Sequence, residues 1–196
     1  MTRDICAQCQ RPPRACICQF MTNIDNQCTL VILQHPKEQN HPKGSAPLLQ
    51  GSLSNTITFI AENFDKNEAF ISWLASHKAQ TALLYPSDNA QELTLGKADS
   101  KPITNLIVVD ATWRKAFKMY QISSALQNLP AVTLPKGLQG NYAIRKTKKE
   151  NALSTLEACC YALSVIEQNE NKYHSLLKSF AQFNAFQLSF RPSLQE

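Results

Sequence analysis

The most informative segment of this chain is Leu106-Ile107-Val108-Val109-Asp110-Ala111-Thr112-Trp113. Four consecutive aliphatic residues predict a strand that is buried on both faces, as in parallel sheets. At Asp110 the pattern changes abruptly to a carboxylate, a hydroxyl and an indole, and a basic, helix-like sequence follows. Ligands of open α/β sheets bind just beyond the carboxyl ends of the strands. Asp110, Thr112 and Trp113 are therefore predicted to lie at a functional edge of the sheet.

Strand and helix patterns alternate along the rest of the chain. Strands are predicted at 28–33, 56–61, 81–85, 105–109 and 130–134, and helices at 46–53, 67–77, from about 112, at 154–168 and at 171–190. This alternation predicts an α/β fold with a mostly parallel sheet and helices on both faces. We divide the chain into a small N-terminal segment, 1–26, and an α/β domain, 27–196.

The size and composition fit an ordinary globular protein. The chain has 196 residues, of which 43% are hydrophobic and 18% are charged, enough for a substantial core. No apolar run approaches the ~20 residues of a membrane span, and residues 1–4 do not lead into a signal-peptide core. A cytoplasmic protein without a membrane partner is therefore expected.

The net charge of +5 is less informative than its distribution. The basic residues gather in three clusters, which are Arg11 with Arg14, Arg114 with Lys115 and Lys118, and Arg145 with Lys146, Lys148 and Lys149. Any one cluster can be a solvated surface. Three clusters beside predicted functional loops favour an RNA-binding or DNA-binding surface.

Four of the seven cysteines lie close together near the start of the chain, at Cys6, Cys9, Cys16 and Cys18. A Cys-x-x-Cys turn followed by a second close pair can direct four thiolates at one metal, and the spacing favours zinc over an iron–sulfur cluster. The alternatives are two disulfides, which a cytoplasmic chain disfavours, or a free redox pair. Such a short segment has almost no core of its own, so it is predicted to need the metal for order.

The remaining cysteines, Cys28, Cys159 and Cys160, lie in apolar patterns and are interpreted as packing residues.

The start of the helix after residue 110 allows two interpretations of Asp110. An Asp between a strand and a helix is often the N-cap, but Thr112 can cap equally well and would leave the Asp110 carboxylate available. Trp113 lies in phase with an apolar helical stripe that continues through Ala116, Phe117 and Tyr120. We therefore predict that Trp113 faces the core rather than stacking on a base.

A second helix start, Ser154-Thr155-Leu156-Glu157, has the pattern of a capping box, so Glu157 is interpreted as structural. The same start offers backbone N–H groups and a positive dipole end to an anion. Tyr142 and Arg145 precede it, and Arg145 is the expected partner of that anion. His35, beside Glu38 in a proline turn, is interpreted as a turn residue.

The sequence contains no Walker A, G-x-G-x-x-G, G-x-S-x-G or H-E-x-x-H pattern. The motifs typical of nucleotide hydrolases, dinucleotide-dependent oxidoreductases and serine hydrolases are therefore missing from the sequence.

Asp110-Ala111-Thr112-Trp113 resembles the Asp-x-Thr-Trp signature of the DTW-domain family. Four further segments agree with that family in the same order, and they are the Cys-x-x-Cys…Cys-x-Cys start, Leu33-Gln34-His35-Pro36-Lys37-Glu38, Leu84-Tyr85-Pro86-Ser87 and Leu153-Ser154-Thr155-Leu156-Glu157-Ala158. Together these segments span the chain from Cys6 to about Gln168.

The resemblance implies a tRNA-uridine aminocarboxypropyltransferase. Such an enzyme moves the 3-amino-3-carboxypropyl group of S-adenosylmethionine to N3 of a uridine in tRNA and releases 5′-methylthioadenosine. It is related to the SPOUT methyltransferases, so the resemblance also implies a deep C-terminal trefoil knot whose loops hold the cofactor. In this chain those loops provide Tyr85, Pro86, Ser87, Thr112, Leu134, Tyr142, Arg145, Ser154 and Thr155.

Within that reaction Asp110 is the expected general base, because uridine N3 must lose its proton before it attacks. No obligate protein partner is expected. The residues expected to bind tRNA phosphates are Arg11, Arg14, Arg114, Lys115, Lys118, Lys146, Lys148 and Lys149. The alternatives are an RNA methyltransferase of the same fold and a non-catalytic zinc-knuckle RNA-binding protein.

Overall fold

The computed structural model describes residues 4–39, 41, 44–95, 102–135 and 153–190. In these residues six strands form one sheet, and they are β1 (Thr29–Gln34), β2 (Thr56–Ile60), β3 (Thr81–Leu84), β4 (Gln91–Glu92), β5 (Asn105–Asp110) and β6 (Ala131–Thr133). Their spatial order is β2-β1-β5-β3-β6-β4, and every neighbouring pair is parallel.

The α-helices of the described residues are α1 (Ala46–Ser52), α2 (Glu68–His77), α3 (Trp113–Gln121), α4 (Ser124–Gln127), α5 (Thr155–Ile166) and α6 (His174–Ser189). All the predicted strands and helices are present, with bounds that differ by a few residues at most. Two short elements, β4 and α4, were not predicted. β4 consists of two exposed polar residues, so it has no apolar pattern to reveal it.

The sheet is built around β5, which lies between β1 and β3. Leu106, Ile107 and Val108 are completely or almost completely buried, as the aliphatic run predicts. Leu106 and Val108 pack in a core with α1, α5 and α6, whereas Ile107 packs in a second core with α2, α3 and α4. The prediction of a mostly parallel α/β sheet with helices on both faces is therefore confirmed.

Residues that follow the cysteine cluster pack into the first of these cores. Ile17, Phe20 and Ile24 are buried against α1, α5 and α6. The Ser179 hydroxyl of α6 donates to the Phe20 carbonyl at 2.7 Å, and Phe20 packs edge-on against Phe183 with 5.9 Å between ring centroids. The division of the chain at residue 26 stays a prediction, but the two parts share a core.

The buried cysteines behave as predicted. Cys28, Cys159 and Cys160 are each at most 3% exposed and pack in the core that contains α5.

In the part of the chain that the structure describes, no helix is both long and apolar enough to cross a bilayer.

Asp65 fixes the position of α4 against the turn that precedes α2. One carboxylate oxygen, Oδ2, accepts hydrogen bonds from the Ser124 N–H and hydroxyl, both at 2.8 Å. The other, Oδ1, accepts from the Ala125 N–H at 2.8 Å. Burial acts to raise the pKa of Asp65, but the Ala125 and Ser124 donors outweigh it and lower the pKa below its ordinary value of 3.8.

We predict that Asp65→Ala lowers Tm at pH 7, because α4 loses its N-terminal cap. A lost cap costs about 1 kcal/mol, which corresponds to about 2–4 °C in a chain of this size. The native pKa lies below the unfolded one, so the stabilisation is present above pH 3.8 and is lost as the pH falls through the native pKa. Thermal melts of wild type and variant should therefore converge in acid.

Asp25→Ala, at an exposed aspartate on another part of the surface, serves as the control and should leave Tm within 1 °C or so at pH 7. A constant difference between wild type and Asp65→Ala at every pH would contradict a role for the ionised carboxylate.

Candidate functional site

Asp110 is the last residue of β5 and lies at the carboxyl edge of the sheet. It is 8% exposed, and its Oδ2 accepts a hydrogen bond from Gln34 Nε2 at 2.9 Å. Gln34 is its register partner at the end of β1. The backbone N–H of His35 donates to the Asp110 carbonyl at 3.2 Å. The carboxylate is thus held by an amide from the neighbouring strand, which the sequence analysis did not identify.

The Asp110 side chain faces α5. Side chains alternate along a strand, so Asp110 is on the same face as Leu106 and Val108, which pack against α5. Burial raises the pKa of the Cys159 thiol on α5 well above its ordinary value, and the charges of Cys160 and Asp110 add to the shift. Asp110 therefore lies beneath the first turns of α5.

Thr112, not Asp110, is the N-cap of α3, so the alternative role of Asp110 as a helix cap is wrong. Thr112 has an extended backbone, and its side chain makes no capping hydrogen bond. Its exposed hydroxyl lies two residues beyond the Asp110 carboxylate, at the same edge of the sheet.

The prediction that Trp113 faces the core is wrong. Trp113 is 53% exposed and Phe117 is 59% exposed. The helix buries Ala116 and Met119 instead, with Tyr120 half-buried beside them. These three residues also follow helical spacing, and the sequence pattern could not decide between the two stripes. Because α3 begins beyond the end of β5, its first turn has no strand beneath it to cover Trp113.

The start of α5 is a complete capping box, as predicted. Ser154 Oγ accepts from the Glu157 N–H at 3.2 Å, and Glu157 Oε2 accepts from the Ser154 N–H at 2.9 Å. Glu157 is buried in this structural role. Leu134, which follows β6, packs against the same core as α5, so Leu134, Ser154 and Thr155 lie on the Asp110 face of the sheet.

Tyr85, Pro86 and Ser87 line a cleft of about 660 Å³ together with residues of α3. The Tyr85 ring stacks on Tyr120 with 4.4 Å between centroids and packs against the core of α2, α3 and α4. The structure thus places the Tyr85 side chain on the sheet face opposite the Asp110 carboxylate.

Five further predicted site residues lie outside the described residues. They are the cofactor residues Tyr142 and Arg145 and the basic residues Lys146, Lys148 and Lys149.

Two of the three predicted RNA-binding residues of α3 are in ion pairs. Lys115 Nζ lies 2.6 Å from Glu38 Oε1, and Lys118 Nζ lies 2.9 Å from Glu62 Oε1. The Lys118 hydrogen bond is the main cause that lowers the pKa of Glu62. Arg114 is exposed and meets no carboxylate in the part of the chain that is described.

His35 is a turn residue, as interpreted, because its Nδ1 accepts from the Lys37 N–H at 3.0 Å. Its Nε2 lies 3.4 Å from Glu62 Oε1, so the same ring also joins the ion-pair network of α3.

The four N-terminal cysteines form a cluster with the dimensions of a metal site. Their sulfurs all lie within 4.8 Å of one another, with Cys6 and Cys18 at 3.6 Å and Cys9 and Cys16 at 3.7 Å. Tetrahedral zinc with Zn–S bonds of about 2.3 Å separates its sulfurs by about 3.8 Å, whereas a disulfide needs about 2.05 Å. The residues therefore fit zinc.

The surroundings act differently on the individual thiols, since burial and the neighbouring thiols raise the pKa of Cys18 to about 12. Hydrogen bonds from the backbone at Cys9 and Gln8 lower the pKa of the Cys6 thiol to about 6. Arg11 lies beside Cys9 and Cys16, where burial lowers its pKa and the charges of the two thiols oppose that shift. A guanidinium in this position offsets part of the charge of four thiolates. Arg14 is exposed.

We predict that Cys16→Ser removes bound zinc and destabilises the protein. Loss of one ligand should lower the zinc content from near one ion per chain toward zero, as a colorimetric zinc assay would measure. Because Ile17 and Phe20 continue into the core, we expect Tm to fall by roughly 10 °C.

Ala7→Ser, at an exposed residue in the same turn, is the matched control and should keep both the zinc and the Tm. A wild-type protein that is purified under metal-replete, reducing conditions and carries no zinc would refute the metal site.

Comparisons with known proteins cover nearly the whole chain. The DTW domain model matches residues 3–188. A tRNA-uridine aminocarboxypropyltransferase 2 from Macaca fascicularis is 30% identical over 192 residues, which is 95% of this chain and 64% of the relative. Proteins of the same name from Mus musculus and Drosophila melanogaster are 29% and 30% identical and are covered over 64% and 76% of their lengths.

The chain spans less than two thirds of the macaque and mouse relatives. No solved structure matches it significantly. Because the family model extends from the cysteine cluster through α5 and into α6, and because its signature segment ends the central strand, the chain belongs to the DTW-domain family.

Proposed function

We propose that this protein transfers the 3-amino-3-carboxypropyl group of S-adenosylmethionine to N3 of a uridine in tRNA. The position of the Asp110 carboxylate is the observation on which the proposal depends most. It ends the central strand of the sheet, within the family's signature segment, and a buried amide orients it. The names of the relatives supply the substrate class and the transferred group.

In the proposed reaction the Asp110 carboxylate takes the proton from uridine N3. The electron pair left on N3 attacks the γ-carbon of the methionine moiety, and a new N–C bond forms. The bond from that carbon to the sulfonium breaks with both electrons going to sulfur, which leaves neutral 5′-methylthioadenosine. Asp110 then releases its proton to solvent. General base catalysis of this kind typically contributes 10²–10⁴-fold.

Gln34 is assigned a positioning role. Its amide donates to one carboxylate oxygen of Asp110 and so restricts rotation of the side chain. The remaining acceleration then comes from holding N3 in line with the γ-carbon rather than with the methyl carbon of the donor.

The donor is expected on the α5 side of the carboxyl edge. Thr112, an exposed residue two positions after Asp110, is expected to contribute its hydroxyl, and the backbone N–H groups at the start of α5 are suited to the methionine carboxylate. Leu134 supplies apolar contact on the same face. The loop at 85–87 follows β3 at the same carboxyl edge of the sheet, and Tyr142 and Arg145, which lie outside the described residues, remain expected donor residues.

The proposal includes a SPOUT-like arrangement with a C-terminal knot and a cytoplasmic location. The all-parallel sheet, in which strands distant in the chain are neighbours, supports the first of these. Zinc at the cysteine cluster has a structural role in this proposal, because the segment that follows the cluster is part of the core. Among the described basic residues, the exposed Arg14 and Arg114 are the ones proposed to bind tRNA phosphates, because Arg11 lies beside the thiols and Lys115 and Lys118 are in ion pairs.

We predict that Asp110→Asn reduces uridine modification by 10²- to 10⁴-fold while the affinities for S-adenosylmethionine and tRNA are largely kept. The substitution preserves the shape of the side chain and removes only the base. Mass spectrometry of tRNA nucleosides after incubation with purified protein and S-adenosylmethionine measures the product, and Asp25→Asn is the control.

The released adenosyl product separates the proposal from its rivals. 5′-Methylthioadenosine supports aminocarboxypropyl transfer, whereas S-adenosylhomocysteine would identify a methyltransferase instead. A wild-type protein that binds tRNA and yields neither product would contradict the enzymatic proposal.

A further inference from the structure

The exposed ring of Phe117 lies at a cleft that the chemistry at Asp110 does not use. Phe117 lines the 660 Å³ cleft together with Tyr85 and Tyr120, which stack on each other. The side chain of Tyr85 packs in the core of α2, α3 and α4, whereas Asp110 faces α5. The cleft and the carboxylate are therefore on opposite faces of the sheet.

The chemistry of the cleft fits an uncharged aromatic ring. Phe117 offers an exposed ring, and the stacked pair of Tyr85 and Tyr120 lines the cleft beside it. The described lining also includes four carboxamides, from Asn89, Gln121, Gln127 and Asn128. The described lining has one charged side chain, Asp88, and no cationic one. A phosphate would have no counter-charge inside such a cleft. An unstacked base, by contrast, is bound by aromatic faces and by hydrogen-bonding side chains.

A cation for the attached phosphate lies next to the cleft. Arg114 precedes Phe117 by three residues, so the two side chains are neighbours on the surface of α3. Arg114 is exposed and meets no carboxylate among the described residues, whereas Lys115 and Lys118 are each paired with a glutamate. Among the three basic residues of this helix, Arg114 is the one that can bind a phosphate without first breaking an ion pair.

We infer that the cleft and Arg114 together bind one unpaired nucleotide of the RNA substrate. Its base stacks on Phe117 inside the cleft, and its phosphate contacts the Arg114 guanidinium. This inference rests on the proposed function, because it takes tRNA as the substrate. The nucleotide is a neighbour of the target uridine and not the uridine itself, since Asp110 faces the other side of the sheet.

Substitution of Phe117 tests the stacking contact. Phe117→Ala is expected to weaken tRNA binding by about tenfold to a hundredfold, which is the range for loss of one stacked base, and Phe117→Tyr should restore it. Fluorescence anisotropy with an unmodified tRNA transcript measures the affinity. Calorimetry with S-adenosylmethionine alone should give the wild-type value for both variants.

The control is Phe190→Ala, which removes another half-exposed phenylalanine, directly after α6, a helix of the other core. It should leave tRNA affinity unchanged. Wild-type tRNA affinity in Phe117→Ala would overturn the inference. A loss of S-adenosylmethionine affinity would also overturn it, because the cleft would then be part of the donor site.

Substitution of Arg114 tests the phosphate contact independently. Arg114→Gln should reduce the dependence of log affinity on log salt concentration by about one, whatever the sequence of the RNA. Lys178→Gln, at an exposed lysine of α6, is the charge-matched control. Equal salt dependence in wild type and Arg114→Gln would remove Arg114 from the RNA surface.

The inference and the proposed function fail in different ways. If wild type and Phe117→Ala bind and modify tRNA equally well, the nucleotide cleft is wrong and the transferase proposal stands. If wild type neither binds nor modifies tRNA, both are wrong.

Discussion

The architecture of the described residues follows from the burial of β5 on both faces. The part of a strand that helices cover on both sides is aliphatic, as residues 106–109 are here, and a polar side chain follows where the strand leaves the core. Here that side chain is Asp110, and the strand beside it ends at the same level with Gln34. The Gln34 amide donates a hydrogen bond to the Asp110 carboxylate, and both side chains are buried, so each gives the other a polar partner that water does not supply.

Much of the fold follows from local pattern, because aliphatic runs and helical periodicity report burial directly. The capping box at Ser154 and the cysteine cluster were predictable for the same reason, since their chemistry lies within a few neighbouring residues. The contact between Gln34 and Asp110 was not, because it joins residues 76 positions apart. The pairing of β4 with β6 was not predicted, because both residues of β4 are polar and exposed.

The exposure of Trp113 shows that helical periodicity alone does not determine which face of a helix is buried. Both the stripe through Trp113 and the stripe through Met119 satisfy helical spacing, and only the location of the strand end decides which is covered. The ion pairs of Lys115 and Lys118 are similar, because their partners, Glu38 and Glu62, come from loops after other strands. In the basic cluster of α3, two of the three positive charges are therefore already paired with glutamates.

The docking of Phe20 has a consequence for how the chain can be divided. Its ring lies against Phe183 and Phe186, and its carbonyl is bound by the Ser179 hydroxyl. A fragment that began after residue 26 would leave these rings of α6 facing water and an unfilled hollow beside them. A fragment that folds with this core intact must therefore retain the segment that contains Phe20, although the strands of the sheet all come later in the chain.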